Sequence, residues 1–491
     1  MTRHTSLILA SVAVLWCTNA APVVAQDTSA PQLQKMDTKL DTIITKLDEV
    51  AKNTAGSAAK VEAPAPAVPA VAGVDAEAIK GLQLNINYVW AMLAGALVFI
   101  MQAGFAMVEL GFARAKNSIN IIMKNFLDFC ISTIGFLFIG FGLMFGTSWN
   151  GIIGTDSFWL ADTADGKSPL WVFWFFQVVF AGTACTIVSG AMAERTKFVG
   201  YLVYAAFLSA LIYPLCGHWA WGSFAGGWGA GGEKGWLEAK GFVDFAGSSV
   251  VHAVGGACAL AGIIVVGPRH GRFAKDGSPR LIAGHNIPLA ALGVFILWFG
   301  WFGFNGGSTL IGDGSIGRIV VNTTIAPAAG AILAMASMWF IQGRPDVGIT
   351  LNGALGGLVG ITACCANVTP GSAFIIGVIA GLLTTVSTIA LERAKLDDAV
   401  GAVPVHLVNG WWGTLSVALF DEAGVTMDRL SIQALGTLSI SATAFGLCLG
   451  LFKVVDLLVG LRASDNEQID GLDFSEHAAN AYPDFQTSEQ V

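Results

Sequence analysis

Asp244-Phe245-Ala246-Gly247-Ser248-Ser249-Val250-Val251-His252-Ala253-Val254-Gly255-Gly256 and Asp398-Ala399-Val400-Gly401-Ala402-Val403-Pro404-Val405-His406-Leu407-Val408-Asn409-Gly410 carry one pattern twice. In each, an Asp stands eight residues before a His, and a Gly stands three residues after the Asp. Each His sits in Val-His-x-Val, with a Gly four residues further on. Each stretch opens an otherwise apolar segment. A charged side chain inside a membrane span costs about 2.5–3.5 kcal/mol by insertion scales. Two histidines at equivalent places in two halves of a chain imply an internal repeat with a polar site between the halves. Membrane proteins built from inverted repeats bind their small substrates there.

The composition agrees with a membrane chain. Of 491 residues, 54% are hydrophobic and only 12% are charged, where soluble domains carry about 25%. The 60 glycines suit helices that pack closely in lipid. The length therefore serves many spans rather than several soluble domains. The net charge of −8 comes with no basic cluster of the kind nucleic acid requires. The eight cysteines show no metal-like or paired spacing and read as small buried hydrophobes. No cofactor loop and no nucleophile with its base is evident, so the chain does not read as an enzyme, and no cofactor is expected.

Residues 1–25 read as a signal peptide: Arg3 and His4, a short apolar run from Leu7 to Trp16, and Val23-Val24-Ala25 as a cleavage site. The run is shorter than the roughly 20 residues a span needs. Residues 26–54 hold a heptad seam, Leu33, Met36, Leu40, Ile43, Leu47 and Val50. It predicts either a short extracellular bundle joining protomers or a lone amphipathic helix. Residues 55–84, with Pro64, Pro66 and Pro69, read as a semi-rigid linker. Residues 85–461 then predict an all-α polytopic membrane domain. It has about eleven spans: an inverted repeat of spans 1–5 and 6–10, then a long final helix. The spans fall near 86–108, 119–146, 171–192, 197–219, 246–267, 285–305, 316–341, 349–367, 371–391, 402–420 and 433–460. Basic residues cluster in alternate loops (Arg114, Lys116, Arg195, Lys197, Arg269, Arg272, Lys275, Arg280, Arg393 and Lys395). They favour an outside N-terminus and a cytoplasmic tail over 462–491 in the inner (plasma) membrane.

Several separated motifs, in order, resemble the ammonium transporters (Amt/Mep/Rh), and the Amt branch in particular. They are Gly104-Phe105-Ala106-Met107 with Arg114-Ala115-Lys116-Asn117, Gly190-Ala191-Met192-Ala193-Glu194-Arg195, Asp244 through His252, Gly300-Trp301-Phe302-Gly303-Phe304-Asn305, Asp397-Asp398 through His406, and Gly471-Leu472-Asp473 through Ala481-Tyr482. The resemblance covers about 85–490. It implies a homotrimer of self-contained bundles, each with its own pore. It implies an outer ammonium site at Trp221 and Ser308, a stacked pair Phe180 and Phe304 closing the pore below, Asp244 near the outer site, and twin pore histidines His252 and His406. It implies methylammonium as a substrate analogue, and a PII-type regulatory protein as a partner at the cytoplasmic face. Asp244 could instead cap the following helix. Two residues depart from the family pattern: Gly401, where many relatives have an acid, and Leu407, where a Gly is common.

Magnitudes suggest the chemistry. A desolvated cation–π contact gives about 2 kcal/mol, whereas moving an ammonium-sized ion into low dielectric costs on the order of 20 kcal/mol in the idealised limit. The aromatic site can therefore hold ammonium at a wet mouth but cannot carry it through a dry pore. An alkylammonium loses its proton near pH ~10.4 in water, and burial lowers this by about 3–5 pH units. Deprotonation at a narrow gate is then feasible at neutral pH. Neutral imidazole has one donor and one acceptor nitrogen, so a linked pair can receive ammonia and relay a proton. Two readings follow: a transporter that recruits ammonium and conducts ammonia, with or without a relayed proton, or a sensor that signals through a partner.

Overall fold

The computed structural model describes residues 76–163 and 169–483. The expected signal peptide, the heptad helix and most of the linker lie outside the described residues. The rest is a helical bundle. Among the described residues, nine helices are long and apolar enough to cross a membrane. They are Ala76–Phe112 (α1), Ala115–Phe145 (α2), Leu170–Ala191 (α3), Phe198–Trp228 (α4), Ser248–Val266 (α5), Ile287–Gly307 (α6), Ser315–Gln342 (α7), Pro370–Arg393 (α9) and Met427–Val459 (α11). Two shorter rods complete the set: Val347–Thr362 (α8), and Val403–Val408 continued by Asn409–Leu419 (α10). Their 16 residues and 17 (6 and 11) sit at the lower edge of the about 17–25 residues that a crossing takes. The expected count of about eleven therefore divides into nine long helices and two short ones.

The first helix corrects a boundary. It is already formed at Ala76, the first described residue, so residues 76–84 of the stretch 55–84 expected as linker are helical. The last proline of that stretch is Pro69, and Ala76-Glu77-Ala78-Ile79-Lys80 are helix formers that extend the apolar run backwards. The final helix likewise starts at Met427, capped by the Thr426 side chain, which accepts from Arg429 N, rather than near 433.

The first helix of each expected half packs on the other. α1 lies along α6 with glycines facing: a Cβ on Gly104 would sit 3.1 Å from Gly293 O, and one on Gly293 would sit 2.7 Å from Gly104 O. Small residues at such a seam let two backbones approach in lipid. α3 and α5 are the most enclosed helices and form the middle of the bundle. Large apolar side chains such as Phe126, Phe340, Leu457 and Leu458 cover its outside, a surface made for lipid or for neighbouring copies.

One end of the bundle is clasped by charge. Arg114 Nε donates to Glu194 at 2.6 Å, and Arg269 grips Asp397 through Nε at 2.8 Å and Nη2 at 2.9 Å. Arg195 donates to the carbonyls of Ala191, Ala193 and Asp397. Burial pushes the Asp397 carboxyl up, but the hydrogen bonds from Arg269 and the charges of Arg195 and Arg269 outweigh it and hold the group well below its ordinary range. Half of the basic residues that suggested orientation, Arg114, Lys116, Arg195, Arg269 and Arg272, are thus paired within the fold. The tail docks at this same end. Asp473 accepts from Asn120 N at 2.8 Å, Leu472 N donates to Asn117 at 3.0 Å, and Tyr482 meets His285 at 3.0 Å. The seven described cysteines are free, and six of them are buried.

Candidate functional site

The two matched stretches build the same local structure. Asp244 accepts four backbone N–H groups: Gly247 at 3.0 Å, and Ser248, Ser249 and Val250 at 2.8 Å each. Asp398 accepts from Gly401, Ala402 and Val403 at 2.7–3.0 Å. The glycine three residues after each Asp turns the chain in the left-handed region, with φ +111° at Gly247 and +84° at Gly401. Only glycine adopts this without strain. That is the physical reason for the Gly in the repeat, and for Gly401 in place of an acid. Both helices then begin with a π turn, Ser248–Ala253 and Val403–Val408; His252 N reaches back five residues to Gly247 O at 3.0 Å. Such wide turns are rare, and they concentrate at functional sites.

Each π turn ends near its histidine, and the two histidines meet. His252 Nδ1 and His406 Nδ1 are 3.2 Å apart, their ring centroids 5.2 Å apart with planes 24° from parallel. Both are buried. Two ring nitrogens at this separation share one proton, so one is the donor and the other the acceptor. His252 in turn stacks on Phe304 at 5.3 Å. Phe304 and Phe180 lie 4.2 Å apart, tilted by 36°, and Phe180 meets Trp221 edge-on at 6.3 Å. The sequence-expected residues thus form one continuous row: Trp221, Phe180, Phe304, His252, His406.

A small cavity of about 10 Å³ opens beside the first of these, between Trp221, Phe224, Phe180, Gln177 and Ser308. Trp221 Nε1 donates to Asp244 O at 2.7 Å, which fixes the ring and leaves its faces for contacts. Phe224 covers one face at 5.8 Å, nearly parallel. Ser308 Oγ donates to Phe304 O at 2.8 Å, so its lone pairs remain to accept. Two of the expected substrate-binding residues, Phe304 and Asp244, do not line this cavity. Phe304 packs beside it on Phe180, and the Asp244 oxygens are taken by the start of α5. Burial raises the Asp244 carboxyl to about 6 against the four backbone N–H groups that favour the ionised form. At the other end of the row a cavity of about 20 Å³ lies beyond His406. Leu407 is not among its walls. Its backbone and Cβ instead lie against Gly256.

A model of the Ammonium Transporter Family matches residues 89–482. The chain belongs to the ammonium transporter family. Ammonium transporter Amt2 of Archaeoglobus fulgidus is 46% identical over 443 residues, covering 86% of this chain and 94% of that protein. A putative ammonium transporter of Synechocystis sp. is 42% identical, covering 83% of this chain and 92% of its own length. Among solved structures, that of a Sensor Amt Protein superposes with a TM-score of 0.78 at 43% identity, covering 81% of this chain and 99% of that one. Mep2 of Candida albicans follows with a TM-score of 0.69 at 26% identity, over 78% and 87% of the two chains. Relatives named for transport agree with the expectation that this family member is not an enzyme.

Sequence reasoning about this family member passed over two residues at the row, Trp301 and Phe224, and one in the cavity beyond it, Glu109. Trp301 stacks on His252 at 5.0 Å and donates to Thr362 Oγ1 at 2.8 Å. Its signal was present, since it stands one turn from Phe304 on α6 and so shares its face. Phe224 lies three residues after Trp221, but on a 3-10 stretch that apolar periodicity does not reveal. Glu109, a carboxylate inside an apolar run, is the kind of intramembrane residue that marks a site.

Proposed function

We propose that this chain takes up ammonium at the cavity between Trp221, Phe224 and Ser308, that the ion gives up its proton at the Phe180–Phe304 constriction, either back to the outer water or onto the relay of the two histidines, and that ammonia is conducted along His252 and His406. The observation that carries this reading is the 3.2 Å contact between two buried imidazoles directly below a closed pair of phenyl rings. An apolar constriction rejects a charged ion by its desolvation cost. A tautomeric pair offers a neutral base both an acceptor and a donor, and switching both tautomers moves a proton one ring further. The cation–π faces of Trp221 supply about 2 kcal/mol at the mouth, enough to gather ammonium and too little to drag it through.

In this reading all eleven rods cross the bilayer as an inverted repeat plus α11, the N-terminus is outside, and the clasped end with the tail is cytoplasmic. Three copies assemble, and the clasped end is where a PII-type regulator docks. Asp244 acts first as a cap, and its charge favours a cation at the mouth only as a consequence.

The similarity to a Sensor Amt Protein at 43% identity supports a second reading, ammonium sensing through a partner with little transport. Uptake of labelled methylammonium in cells that lack their own ammonium transporters separates the two. Conduction predicts uptake well above cells carrying no transporter. Correct insertion without uptake would favour sensing. Replacing either histidine with Asp (His252→Asp or His406→Asp) should alter selectivity between ammonium and potassium; unchanged selectivity would count against a filtering role.

A further inference from the structure

The cavity beyond His406 has a wall that the conduction reading does not use. Its lining includes His406, Glu109, Asn352, Thr186 and Phe105. At about 20 Å³ it has room for one particle of water's size, which is also the size of ammonium. Glu109 comes from α1 and is only 3% exposed. Its hydrogen bonds, from Asn125 Nδ2 at 3.0 Å and Ser189 Oγ at 2.9 Å, both fall on Oε2. Among the described residues no donor reaches Oε1, and no Lys or Arg forms an ion pair with this carboxylate. The nearest cation, Lys124, spends its ammonium on Thr196 O at 2.6 Å. Asn352 uses its Nδ2 on Val400 O at 2.9 Å, and among the described residues no donor reaches its Oδ1. A buried acid with one free oxygen, an amide oxygen without a donor and the far side of His406 thus share one small space. Two acceptor oxygens share that space with an imidazole that offers its outer nitrogen as an acceptor when its Nδ1 carries the proton, and a particle with several N–H donors fits them.

We propose that this inner cavity is a second ammonium site with Glu109 as its counter-charge, where ammonia that has passed His406 regains a proton before release. The nitrogen lone pair forms the new N–H bond with a proton drawn from the inner aqueous side, and the carboxylate balances the charge that appears. Thr186, whose Oγ1 donates to Asn125 Oδ1 at 3.0 Å, holds Asn125 and through it Glu109 Oε2. The inference rests on the conduction reading for its direction of use, but the site itself does not.

Thallium(I), a monovalent ion of ammonium's size, reports the site without any variant. Crystals of the whole protein soaked in a thallium salt should show an anomalous peak in contact with the Glu109 carboxylate, and crystals of Glu109→Gln should lack it. In proteoliposomes of known orientation, Glu109→Gln should raise the half-saturating ammonium concentration on the inner side by about tenfold and leave the outer one unchanged. A merely structural role would move both sides together. No thallium at Glu109 in the wild type, or an inner half-saturation unmoved by the variant, overturns the inference while the conduction reading stands. Thallium held at Glu109 in a protein that moves no ammonium from either side upholds the site and removes the conduction reading.

Discussion

At the scale of residues, the pattern that opens the sequence divides into parts with different duties. The histidines form the contact, while the two aspartates hold the turns that present them. Replacing Asp244 with Ala leaves four backbone N–H donors without their acceptor at once and should cost about 2 kcal/mol of stability, the upper range for a lost cap. Asp244→Asn, which keeps one acceptor oxygen, should lose less. Thermal unfolding in detergent reads the difference, and an Ala variant as stable as the wild type would show that the cap contributes nothing. His252, His406, Phe180, Phe304, Trp221 and Ser308 were legible because motif position singled them out. Among 31 Phe and 15 Trp, composition alone could not. Glu109 and Trp301 escaped because what they face, the cavity shared with His406 and the ring of His252, is built by helices far along the chain, and no local spacing announces such a meeting.

At the scale of elements, the π turns at the heads of α5 and α10 depend on glycines in the left-handed region. Gly401→Ala would place a Cβ against Asn352 Nδ2 at φ +84°. Strain at such a position costs about 1–3 kcal/mol, and the displaced turn carries His406. The variant should lose stability by that amount and lose transport by more than its loss of folded protein explains. Normal transport per folded molecule would contradict this. The clasp between Arg269 and Asp397 makes a pH-dependent contribution of known sign. The folded carboxyl titrates below its unfolded value of ~3.9, so its contribution is complete above that value and is lost as pH falls through the folded one. Unfolding measured from pH 5 down to pH 2 should therefore show an acid slope that steepens below ~3.9, and Asp397→Asn should flatten it and lower stability at neutral pH. An unchanged slope in the variant would assign acid sensitivity elsewhere. Element existence was readable from apolar run length. Boundaries were not: residues 76–84 are already helical, and the final helix starts at Met427 under its Thr426 cap.

At the scale of the whole molecule, the membrane class followed from composition, and family membership followed from motifs that only together were specific. What sequence could not convey is that the two matched stretches bring their rings within hydrogen-bond distance, because this depends on how α5 and α10 cross. The proposed assembly predicts a native mass of three copies in detergent that retains annular lipid; a single-copy mass would oppose it. The central claim is that what passes the constriction has shed its charge. Potassium tests it, being close to ammonium in size but unable to lose a proton. Purified protein in liposomes, given equal gradients of ammonium and of potassium in turn, should move ammonium at least ~100-fold faster, since desolvating a permanent ion costs on the order of 20 kcal/mol in the idealised limit. Potassium flux comparable to that of ammonium would contradict the account.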